Sequence, residues 1–186
     1  MFVRSLFTAG LALVLAAGVG AADTKVKSGP QVGEDLAGPF HPLNVNGKAA
    51  GQKHCLYCEN GAAPVAMIFA RNVNDPLVTL IKKLDEATEK NKDYSMGSFV
   101  VFLNDDKDLE AKLKQVAEKQ ALKKIVLSID NEGGPKGYKV AAEADVTVVL
   151  YKERNVKANH AFKKGELNDK AVDAVVADLT KILPSR

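Results

Sequence analysis

Four short stretches of this chain are apolar almost without interruption: Pro64–Ala70 (PVAMIFA), Gly97–Leu103 (GSFVVFL), Ile125–Ile129 (IVLSI) and Val146–Tyr151 (VTVVLY). Runs of this length, bounded by polar and turn residues, predict strands buried on both faces of a sheet. Between them the period changes. After Asp75-Pro76, a cap residue and a proline suited to a first helical turn, Leu77, Leu80, Ile81 and Leu84 recur at helical spacing. Leu109, Leu113, Val116 and Ala117 form a second such stripe, with Asp105-Asp106 as its expected cap. Val172, Val175, Val176, Leu179 and Ile182 form a third, capped by Asn168 or Asp169. Val156, Ala158, His160 and Phe162 follow the turn Glu153-Arg154-Asn155 at period two, which predicts a half-covered edge strand. Phe40, Leu43 and Val45 suggest a short first strand ending at the turn pair Asn46-Gly47. From Gly47 to Ala63 there is little periodicity, and the segment reads as a loop with a function or a staple. Tyr138 to Ala144 reads as short helix or irregular chain.

The order is β, then β-α-β-α-β-(α)-β-β-α. Strands alternating with helices imply parallel pairing through right-handed crossovers, here closed by a hairpin and a terminal helix. The expected fold class is α/β, a three-layer α/β/α sandwich around a central mixed sheet, in one domain spanning residues 39–186. Two segments stand outside it. Arg4, the apolar run Leu6–Val19 and the small residues Gly20-Ala21-Ala22 have the layout of a secretory signal peptide over residues 1–22. Residues 23–38 are rich in Gly, Lys and acids and read as a mobile arm. The protein is therefore expected to be exported, periplasmic or secreted, with no stable membrane span once the leader is removed. The formal charge is +3. Lysines and acids alternate without a basic block, which argues against a nucleic-acid partner.

The chain has two cysteines, in His54-Cys55-Leu56-Tyr57-Cys58. An exported protein meets an oxidising compartment, where such a pair persists as a disulfide. Three readings stay open. Cys55 and Cys58 could be a redox pair, with Cys55 attacking and Cys58 resolving, and a thiol-bearing exported protein as partner. Lys53 and His54 would favour a thiolate there, but no helix is expected to activate it. They could instead form a structural disulfide, whose short loop contributes only about 2 kcal/mol in the chain-entropy model. They could also hold a metal with His54 and His41, although a second C-x-x-C is absent. Haem attachment needs a histidine directly after the second cysteine, and Glu59 is there. No cofactor is expected. Gly133–Gly137 lacks the strand–loop–helix context of a phosphate loop and reads as a turn.

The order of elements resembles the thioredoxin superfamily. Tyr138–Leu183 looks like the C-terminal half of such a domain, and the Phe40 strand ahead of Pro64–Arg71 is similar to the secreted branch that includes the alkyl hydroperoxide reductase/thiol-specific antioxidant proteins. The resemblance implies that any enzyme activity would be thiol–disulfide oxidoreduction. Three departures qualify it. The family's redox cysteines follow the first buried strand, where this chain has Arg71-Asn72-Val73-Asn74-Asp75-Pro76. Val146 stands where the family has a cis-proline. No cysteine follows Cys58, so a standard peroxiredoxin is excluded. The alternative is a catalytically inactive binding module with a structural disulfide, its partner held at the strand end near Arg71, Asn72, Asp145 and Thr147.

Overall fold

The computed structural model describes residues 26–184; the leader expected at 1–22 lies outside them. Within the described residues no helix is long and apolar enough to cross a membrane. The four continuous apolar runs form the middle of the sheet: β2 (Val65–Ala70), β3 (Gly97–Leu103), β4 (Val126–Asp130) and β5 (Val146–Lys152), with β1 (Leu43–Asn44) and β6 (Asn155–Phe162) at the edges. The spatial order is β1-β4-β3-β2-β5-β6. β2, β3 and β4 run parallel, joined by α2 (Asp75–Lys90) and α3 (Leu109–Lys119). β5 is antiparallel to β2, and β6 to β5. The mixed α/β sheet is the one the sequence predicts.

Its two faces are covered unequally. Ala66, Ile68 and Ala70 of β2 point to a core built with α2, α3 and α4 (Asp169–Ala177), through Leu77, Leu80, Leu84, Leu113, Val172 and Val175. Val65, Met67 and Phe69 point the other way, to Phe40, Phe99, Tyr138 and Tyr151. Among the described residues that second face has no long helix. Its cover is irregular chain and a five-residue helix, α1 (Leu56–Asn60), so one of the two helical layers expected from the sequence is thin.

Residues 26–38, expected as a mobile arm, are laid along β6. Gly33 N–H donates to Val156 O and Val156 N–H to Glu34 O, at 2.9 and 3.0 Å. The hydroxyls of Ser28 and Thr147, both buried, lie 2.7 Å apart. A segment with few apolar residues is pinned here by backbone pairing to an edge strand, which composition does not reveal.

Local details also differ. Asn74, not Asp75, caps α2, its Oδ1 accepting Leu77 N–H at 3.0 Å. Asp106 holds the turn before α3 by accepting Asp108 N–H, and does not cap the helix. Asn168 caps α4 as expected. A bulge between Leu150 and Tyr151 in the β5–β6 pairing breaks the period of β6, so Val156 joins one core and Ala158 the other. Asp85 of α2 is buried and accepts three consecutive amides, from Lys123, Lys124 and Ile125 at 2.7–2.9 Å, fixing the entry into β4.

Candidate functional site

Cys55 and Cys58 are joined in a disulfide. The stretch expected to be a loop with a function or a staple turns into α1 at this point, and Cys55 is its N-cap: the Cys58 amide donates to Cys55 Sγ at 3.1 Å. Leu56 and Tyr57, between the cysteines, are buried and tie the turn to the aromatic core. Asn60 closes the helix, its Nδ2 donating to Leu56 O at 2.7 Å, and Gly61 leaves it at positive φ. A terminal Asn-Gly pair is a helix stop signal, and it was present in the sequence. Five residues are too few to show a period, so the helix itself was not visible.

The two sulfurs are not equivalent. Cys55 is buried in the second core, 5% exposed, whereas Cys58 is exposed. The redox reading from the sequence has Cys55 attacking and Cys58 resolving; of the two residues, Cys58 is the more exposed. A shallow groove of about 770 Å³ opens beside the pair, bordered by His41, Lys48, Lys53, His54 and Glu59. His54 Nε2 and Glu59 Oε2 pair at 3.0 Å across the four-residue ring, so the acid that follows Cys58 is engaged by the histidine that precedes Cys55. All four residues considered for metal binding (His41, His54, Cys55 and Cys58) thus border one groove. Both sulfurs are bonded to each other, and among the described residues no three His, Cys, Asp or Glu side chains are placed to share an ion. His160 is elsewhere, half-buried and paired with Asp178 at 2.9 Å.

The strand end singled out as the alternative binding face is occupied by the protein itself. Arg71 spends its guanidinium on three backbone carbonyls, those of Ala144, Glu132 and Ala141, at 3.0–3.2 Å. Asn72 donates to Asp145 Oδ1 at 2.7 Å, and Thr147 is buried against Ser28. These residues staple the β4–β5 connection to the end of β2. Val146, at the expected cis-proline position, is an ordinary strand residue paired with Ala70 and Phe162.

No protein-family model matches the sequence. No curated protein sequence matches it either. Solved structures do. A proposed protein disulfide isomerase from Bacteroides thetaiotaomicron superposes with a TM-score of 0.61 at 15% identity, covering 85% of this chain and 94% of that one. The chain has the thioredoxin-like fold. A peroxidoxin, BcpB, from Mycobacterium tuberculosis matches with a TM-score of 0.56 at 15% identity, over 85% of this chain and 99% of that chain. A thiol-disulfide oxidoreductase from Bacteroides fragilis matches at 0.53 and 15%, over 82% and 99%. At these identities the likeness is one of fold. Function rests on the geometry around Cys55 and Cys58.

Proposed function

We propose that this protein is an exported thiol–disulfide exchange protein that works through Cys55–Cys58. The observation that carries the reading is the asymmetry of the pair: an exposed Cys58 bonded to a buried Cys55 whose sulfur already accepts an amide hydrogen. A partner thiolate attacks Cys58 Sγ, on the more exposed of the two residues. The Cys55–Cys58 bond breaks as a Cys58–partner disulfide forms, and the electron pair leaves on Cys55. The Cys58 amide is in place to receive the thiolate that develops there, and a hydrogen bond to the charged form favours it. A second thiolate of the same partner then attacks its own mixed disulfide and releases Cys58. The partner dithiol becomes a disulfide, and its two electrons and two protons end on Cys55 and Cys58. Lys48 and Lys53 on the groove rim add positive charge where incoming thiolates approach. Export is supported by the leader-like residues 1–22 and by the suitability of such a pair to an oxidising compartment.

One observation favours the second reading, a binding module braced by a structural disulfide. Leu56 and Tyr57, within the disulfide ring, are part of the core, so the ring also anchors the chain that covers the second sheet face. Reaction of the native oxidised protein with glutathione, followed by peptide mass spectrometry, separates the two. Exchange requires a glutathione adduct on Cys58 and none on Cys55 under native conditions, with the adduct accumulating in Cys55→Ser. A protein that forms adducts only after denaturation has a structural disulfide.

A further inference from the structure

The hairpin between β5 and β6 turns through Glu153 and Arg154, at φ 56° and 64°. Two left-handed residues at the centre of a two-residue loop are the ordinary solution for a hairpin, but sequences that adopt it use Asn-Gly or its kin, because a side chain is strained there. This chain places two long charged side chains at both positions. The backbone contacts of the turn do not account for that choice. Glu153 N–H donates to Ala62 O at 3.0 Å and Leu36 N–H to Arg154 O at 2.9 Å, and glycine would serve both equally. What glycine lacks is the guanidinium. Arg154 Cζ stands 5.1 Å from the centre of the Tyr57 ring, within cation–π range. Tyr57 is the residue directly before Cys58, inside the disulfide ring, and is itself buried. Among the described residues Arg154 forms no ion pair with a carboxylate, so its charge is left for the ring.

We propose that Arg154 is a positioning residue for the Cys55–Cys58 pair, clamping Tyr57 so that the α1 turn keeps its shape when the disulfide opens. The inference rests on the exchange reading above. With the bond broken, the ring no longer holds the two sulfurs together, and their proximity then depends on α1 and on what grips it. The turn's grips are the burial of Leu56 and Tyr57 in the second core, the His54–Glu59 pair, Asn60, the Cys58 amide on Cys55 Sγ, and Arg154 on Tyr57. A firmer grip raises the effective concentration of one thiol at the other and favours re-formation of the disulfide. The strain of the hairpin is thus retained for a contact that matters at the thiol site.

The test uses the full mature protein and three variants, Arg154→Gln, Arg154→Lys and Arg154→Gly. Two quantities are read: the glutathione equilibrium constant of the pair, and hydrogen-exchange protection of the Cys58 amide in the reduced protein. Arg154→Gln, which removes the cation and keeps the backbone strain, should shift the equilibrium toward the dithiol about two- to fivefold, the ratio an exposed cation–π contact is worth. It should lower the protection similarly. Arg154→Lys should restore most of both. Arg154→Gly should match Arg154→Gln at the thiols while raising the midpoint of urea unfolding, since it releases the strained backbone. Unchanged protection and equilibrium in Arg154→Gln overturn the clamp. A shift toward the disulfide also overturns it, because that is the sign of a charge acting directly on a thiolate. A wild-type protein inert to glutathione overturns the exchange reading instead, and the amide protection, measured independently, still reports whether Arg154 holds the turn.

Discussion

Gly97 at the start of β3 is the seat of the cysteine-bearing helix, and replacing it with alanine should be felt at α1. The Asn60 side chain lies over the glycine so closely that an added Cβ would overlap Oδ1 and come within 2.6 Å of Cγ. The backbone of Gly97 is not left-handed, so alanine is acceptable to the strand and the penalty is purely one of space. Asn60 must move, and in moving it gives up the 2.7 Å bond to Leu56 O that closes α1. Overpacking of this kind costs roughly 1–3 kcal/mol, and the lost hydrogen bond about 1 kcal/mol. Gly97→Ala is therefore expected to destabilise by about 2–3 kcal/mol. Asn60→Ala alone should cost about 1 kcal/mol, since its partner carbonyl at the helix end can turn to water. The double variant has no clash, so it should resemble Asn60→Ala, leaving a coupling of about 2–3 kcal/mol between the sites. Urea unfolding of the four proteins with the disulfide intact measures this directly. Costs that simply add, or a Gly97→Ala variant as stable as the wild type, would refute the placement of Asn60 over β3.

Three further outcomes follow from buried polar groups. Asp85→Ala leaves three amides of residues 123–125 without their acceptor and should cost at least about 3 kcal/mol in urea unfolding, with Asp85→Asn distinctly milder because its amide oxygen can still accept. Burial pushes the Asp178 carboxyl up, but hydrogen bonds from Lys181 and His160 outweigh it and hold the group below the usual carboxylate value. A lowered value means a contribution present above the unfolded carboxylate pKa and lost as pH falls through the folded one. Asp178→Asn should therefore cost up to about 1 kcal/mol near neutrality, a difference that fades below about pH 4 in unfolding measured across pH. The Tyr151 hydroxyl is buried and finds no hydrogen-bond partner among the described residues, so Tyr151→Phe should be neutral or stabilise by up to about 1 kcal/mol, read as a shift in thermal midpoint.

The sheet was legible because β2, β3 and β5 are buried on both faces and β4, though only partly buried at Val126 and Ile129, keeps a short apolar run. The long helices were legible because α2 and α3 each present one apolar stripe over several turns. What escaped was held by short-range or backbone interactions. α1 has one turn and no period. Residues 26–38 are fixed by backbone pairing to β6 and by contacts between positions far apart in the chain, such as Ser28 with Thr147. The bulge at Leu150/Tyr151 inverts the facing of Val156 without changing a residue type. At the site, the spacing of Cys55 and Cys58 announced thiol chemistry, but which of the two residues meets solvent depends on how Leu56 and Tyr57 dock on the sheet. Arg71 looked like a binding cation because it sits at a strand end, and only the fold reveals the three carbonyls that absorb it.

The central claim is that Cys55–Cys58 is an exchanging pair, and its reduction potential tests that most directly. Mature protein equilibrated in glutathione or dithiothreitol buffers, with free thiols counted after quenching, should give a value above about −250 mV, in the range of proteins that pass electrons to partners. A value below about −300 mV, where structural disulfides of secreted proteins lie, would contradict the account.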